Sequence, residues 1–77
     1  MTIEISDLDQ MQAAYKTAVD EWVAAIRQEE ALASGNHSEA EVDAWEAAGF
    51  REEAARSKAK GAKRDYEDAL REKFFNF

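Results

Sequence analysis

Few side chains in this chain of 77 residues have types and spacings that could do chemistry. His37 is its one histidine, and there is no cysteine. A histidine can serve as a general acid or base, because it titrates near neutral pH. A metal site needs several ligands converging from one fold. No second histidine and no Glu-x-x-His pair accompanies His37, so the di-iron carboxylate chemistry of acidic helical bundles has no ligand set here. Ser34 and Ser38 stand close by, but both are accounted for by helix capping. Asp20-Glu21 and Glu29-Glu30 read as solvated helix faces. No catalytic residue, metal ligand or cofactor-binding motif is assigned, and the expectation is a protein that is not an enzyme.

Arg56, Lys58, Lys60, Lys63 and Arg64 form a basic run that contacts with nucleic-acid phosphates would require. The charge layout opposes that use. The net charge is −7, and residues 1–50 carry eleven acidic side chains against two basic ones, whereas residues 51–77 carry eight basic and six acidic. Glu52–Arg56, Lys63–Glu67, Arg64–Asp68 and Glu67–Arg71 are spaced for i,i+4 pairing on a helix. A hairpin would also bring the run near Asp7 and Asp9. Charge that supports the fold is therefore preferred over phosphate binding.

The elements that must carry these residues are helices. Proline is absent, glycine occurs 3 times, and Ala, Glu, Lys and Arg abound; all four are good helix formers. One helix is predicted over 6–34, with Ser6 as N-cap and Asp7 and Asp9 at the positive end of the dipole. Its apolar residues Leu8, Met11, Tyr15, Ala18, Val19, Trp22, Ala25, Ile26 and Leu32 recur mostly at steps of three and four. Gly35 or Asn36 can end it, which puts a turn at 35–37. A second helix is predicted over 38–75, opened by Ser38 with Glu41 as a capping box. Its stripe runs Val42, Trp45, Ala48, Ala55, Ala59, Ala62, Tyr66, Leu70 and Phe74, with Glu52 interrupting it. Gly49 leaves two versions open: a continuous helix, at a cost of roughly 1 kcal/mol, or a break or kink there. Residues 1–5 are expected as an extended arm.

The fold class that follows is all-α, an antiparallel helical hairpin in a single domain spanning 1–77. Folding about residue 36 places residue i near 72 − i. The second helix then outruns the first by about eleven residues, roughly 16 Å at 1.5 Å per residue. Tyr66, Leu70, Phe74, Phe75 and Phe77 would sit on that overhang. Trp22 and Trp45 would lie near the closed end, where they could meet in the core.

Composition adds a reason for association. Hydrophobic residues make up 45% of the chain, but sixteen of them are Ala, so about nineteen could bury substantial area. Small domains bury a reduced share of their surface and commonly need a staple or a partner. An antiparallel homodimer of such hairpins, forming a four-helix bundle, is expected, joined through the apolar stripe and through Tyr66, Leu70, Phe74, Phe75, Phe77, Trp22 and Trp45. The expected role is protein–protein interaction, as a small scaffold or adaptor of the bacterial or phage type. The first alternative is an acidic inhibitor or nucleic-acid mimic that presents Asp20, Glu21, Glu29, Glu30, Glu39, Glu41, Asp43 and Glu46 to a basic cleft. A weak nucleic-acid binder using 56–64 is the second. Met1 to Ile5 has neither the basic region nor the apolar run of a signal peptide, and no stretch reaches membrane-span length. A cytoplasmic location without membrane contact is expected.

Overall fold

The computed structural model describes residues 4–33 and 38–75. Within them are two helices, α1 (Ile5–Leu32) and α2 (Glu39–Phe75), packed along one another. The architecture is an all-α helical hairpin. The predicted turn at 35–37, His37, Ser34 and Phe77 lie outside the described residues.

Each helix begins where a side chain can satisfy a free backbone N–H. The N-cap of α1 lies two residues before Ser6. Glu4, with extended backbone (φ −84, ψ 155), is the N-cap, and with Asp7 it forms a reciprocal capping box. The Glu4 N–H donates to Asp7 Oδ2 at 3.2 Å. Acidic side chains at both positions also complement the helix dipole, so Ile5 is helical rather than part of an arm. At the far end the Ala33 N–H donates to the Glu29 and Glu30 carbonyls. α2 opens as predicted, with the Glu41 N–H donating to Ser38 Oγ at 3.2 Å. It continues through Gly49 without a break. The 55 Å length of the molecule matches a straight helix of 37 residues rising about 1.5 Å per residue.

The register differs from the expected 72 − i. Four cross-helix neighbours, Trp22 with Glu52, Gln28 with Arg51, Glu21 with Lys58, and Glu29 with Gly49, have residue numbers summing to between 74 and 79. A sum near 77 sets Ala18 level with Ala59 and Leu8 level with Ala69, and all four are buried. The register is thus fixed by where small side chains let the helices approach, not by the centre of the connection. Two expectations change with it. Ile5 stands level with about Glu72, so only the last few residues of α2 pass the start of α1. Tyr66 and Leu70, placed on an overhang by the sequence, lie alongside α1 and are half-buried.

The buried core consists of Leu8, Ala18, Ala48, Ala59 and Ala69. A seam of alanines allows close approach and low strain, but each methyl removes little apolar area from water. Met11, Tyr15, Val19 and Trp22 are half-buried along its margins.

Candidate interaction surface

The two flanks of the seam are chemically different. On one flank α1 presents Glu21 and Gln28, and α2 presents Arg51 and Lys58. Members of each pair are seven residues apart and so share a helix face. Arg51 Nε–H donates to Gln28 Oε1 at 3.1 Å, and Lys58 Nζ donates to Glu21 Oε2 at 3.0 Å. These two straps close the back of the hairpin with polar contacts. Because they join one flank of α1 to one flank of α2, the other two flanks must also lie together, on the front.

At about 100° per residue, the front flank of α1 carries Ile5, Gln12, Lys16, Val19, Val23, Ile26 and Glu30. That of α2 carries Trp45, Glu52, Arg56, Lys63, Leu70 and Phe74. Ile5 is 57% exposed, Val23 41%, Ile26 40%, Trp45 47% and Phe74 63%. The front carries its bulky apolar side chains toward both ends, with Glu30 among those nearer the connection, and is charged in its middle, where Arg56 lies 3.8 Å from Glu52 and Lys63 lies 3.8 Å from Glu67. Phe50 and Phe75 are exposed as well, but their helical angles place them on the outer edge of α2.

Glu52, which interrupts the apolar stripe of α2, has a structural role. Its side chain is 13% exposed, and its Oε1 accepts the Trp22 indole Nε1–H at 2.8 Å. A buried indole usually finds such a partner. The carboxylate therefore locks the register at Trp22, a large aromatic on the margin of the seam. Trp45 does not meet Trp22, contrary to expectation. It stands level with Leu32, ten residues or about 15 Å beyond Trp22, because α2 extends past the end of α1 at the closed end. With little of α1 opposite it, the ring stays exposed.

Of the residues predicted as interface, Trp45 and Phe74 lie on the front and Phe75 on the outer edge. Tyr66 and Leu70 are partly used within the hairpin, and Trp22 is committed to Glu52. Ile5 and Val23 were not assigned to this surface by the sequence reading. Val23 follows Trp22 directly, and two neighbouring helical residues cannot both face one seam; that adjacency was the available signal. The basic run makes two of the i,i+4 pairs that its spacing predicts, Arg56–Glu52 and Lys63–Glu67, and its partner on α1 is Glu21 rather than Asp7 or Asp9. Lys58 makes the contact with Glu21, whereas Asp7 is used at the helix start. Asp68 pairs with Arg71 rather than with Arg64.

Among the described residues, no cluster of three or more His, Cys, Asp or Glu is placed to hold a metal ion. No helix among them is long and apolar enough to cross a membrane. Compared with protein-family models, with curated proteins and with solved structures, the chain matches none.

Proposed function

We propose that this hairpin is a non-enzymatic protein–protein interaction module, an adaptor or scaffold whose apolar front is completed by a second helical layer, giving a four-helix bundle as a homodimer. The observation that carries the reading is the contrast between an alanine core and exposed bulky side chains. Leu8 is the one large residue among those buried, while Trp45 and Phe74 stand open on the front. Exposed apolar patches rimmed by polar groups mark interaction sites. The front is also large enough. A face of 55 × 17 Å covers about 900 Å², against about 800 Å² per partner in a standard interface. The basic run supports this reading over phosphate binding, since three of its five members are already paired within the chain.

The test is mass by light scattering on the eluting protein, for the natural chain and for Trp45→Ala with Phe74→Ala. Burying an aromatic side chain removes about 150–250 Å² from water. With 63% of Phe74 exposed, covering it is worth about 3 kcal/mol at 25 cal/mol/Å². Each ring occurs twice in a dimer, but rim residues are incompletely covered, so about 3 kcal/mol per substituted position is expected, roughly a hundredfold in Kd. The natural chain should elute with the mass of a dimer, and the double variant should dissociate at concentrations where the natural chain does not. A natural chain that remains monomeric at high concentration removes the proposal.

A further inference from the structure

The outward face of α2 near the connection carries a surface that neither the hairpin nor the front uses. Phe50 is 71% exposed there and Val42 44%. At about 100° per residue, both point away from α1, about 80° apart around the helix, with Glu46 between them. They stand about 12 Å apart along the axis. Ala47 and Ala54 border Phe50 on the turns before and after it and are exposed, so no bulky side chain keeps a neighbouring helix at a distance.

The charge on this face has one sign. Glu39, Asp43, Glu46 and Glu53 lie on it and are exposed. Among the described residues, none of these acidic side chains makes an ion pair. The bases of the same stretch are directed to the flanks and used there. Arg51 donates to Gln28, Arg56 lies against Glu52, and Lys58 engages Glu21. Glu39 belongs to the first turn of α2, where the helix dipole accounts for it. That effect fades beyond the first turn, so it gives no reason for Asp43, Glu46 and Glu53 to gather around Phe50. They are its helical neighbours at i−7, i−4 and i+3.

Exposed apolar side chains among unpaired carboxylates define what can cover them. The occupant must be apolar at two points about two helical turns apart and positive between and beside them. A nucleic acid or an anionic lipid surface has the wrong sign. A second copy set face to face here would bring these carboxylates onto themselves. We infer that the outward face of α2 around Val42 and Phe50 docks a basic amphipathic helix of another protein, with Lys or Arg side chains over Asp43, Glu46 and Glu53. A helix fits the spacing because apolar positions seven or eight residues apart recur on one of its faces. The contact goes beyond the homodimer proposed above, since a second layer on the front leaves this face open. It gives the module a partner to recruit, with charge supplying selectivity more than strength.

The probe is a short fluorescent helix of Leu and Lys, with Leu at helical spacing. Its controls are the same helix with Glu in place of Lys, and a lysine peptide of equal charge without Leu. Polarisation reads affinity, amide chemical shifts read the place of binding, and light scattering reads the mass of the hairpin itself. The Leu–Lys helix should bind more tightly than either control, move the amides of residues 42–54, and lose affinity from low to moderate salt. Phe50→Ala should weaken binding about tenfold, as truncating an interface aromatic does, with mass and helicity unchanged. Glu46→Gln with Glu53→Gln should weaken it about fivefold at low salt and flatten its salt dependence. Trp45→Ala with Phe74→Ala should change it little. Absence of binding, shifts centred on the front, full affinity in Phe50→Ala, or equal binding of the lysine peptide overturns the inference. A fall in the mass of Phe50→Ala also overturns it, by giving the face to a second copy. The homodimer is judged separately, on the mass of the natural chain without peptide.

Discussion

Replacing Glu52 tests whether the hairpin is held in register by a part-buried polar contact across the seam. Glu52 Oε1 takes the Trp22 indole N–H at 2.8 Å, with the carboxylate side chain 13% exposed and the Arg56 guanidinium 3.8 Å away. A hydrogen bond to a charged acceptor is worth about 1.5–3 kcal/mol. Water reaches the margin of this seam, so the lower figure applies. Loss of the i,i+4 pair with Arg56 adds about 0.3–0.5 kcal/mol, and the higher helix propensity of Ala returns a few tenths. Glu52→Ala should therefore cost about 1.5 kcal/mol. At 4–8 °C per kcal/mol for a domain of this size, the midpoint should fall by about 6–12 °C at a fixed protein concentration. Glu52→Gln keeps an acceptor on the same stem and should lose about half as much. Thermal melts followed by circular dichroism give the order, and the Trp22 indole N–H resonance reports the contact itself. A Trp45→Phe background leaves Trp22 as the single indole. An alanine variant that melts with the parent, with the indole resonance unmoved, would refute this account of the register.

Two other substitutions probe the seam and the back. A Cβ built on Gly61 meets nothing within 4 Å, so Gly61→Ala should gain about 0.8–1 kcal/mol of helix propensity and raise the melting midpoint by several degrees; a lower midpoint would mean that a partner covers this part of α2. Ala59 is 2% exposed at the centre of the seam, and Ala59→Leu should cost about 1–3 kcal/mol by overpacking, with a normal melting midpoint counting against the observed register.

The two helices were legible because local chemistry determines them. No proline interrupts either one, and Ser38 with Glu41 marks the start of α2 in four residues. The cap of α1 lies two residues before the expected one, since Ser6 looks like a better cap than Glu4 until the reciprocal partner at Asp7 is counted. Gly49 was ambiguous because a glycine inside a helix and one just past its end look alike in sequence. The helix continues through it, and the Glu29 carboxylate lies against it, 3.0 Å from where a Cβ would stand. The register was the largest error. It depends on which alanines touch, and with sixteen alanines in the chain many offsets offer a plausible stripe. Glu52 held the missing information. A carboxylate on an apolar stripe must find a donor, and Trp22 is the one aromatic of α1 whose N–H reaches it, which excludes an offset that pairs Trp22 with Trp45.

The distribution of residue sizes across the hairpin bears on how folding and association are related. An ordinary small domain places its bulky side chains in the core and leaves small or polar ones outside. Here the seam is alanine, and the valines, isoleucine, tryptophan and phenylalanine stand on its front margin and edges. Ordering a residue costs about 1–2 kcal/mol in backbone entropy, and buried methyl groups offset little of that sum. Much of the offset must come from bulky groups, and on the front these are only half covered by the hairpin itself. If a second layer supplies the rest, the unfolding midpoint depends on protein concentration, as it does whenever association stabilises the native state by mass action. The alanine seam then has a second consequence. It holds the two helices close and leaves the large side chains on the front partly uncovered within one chain.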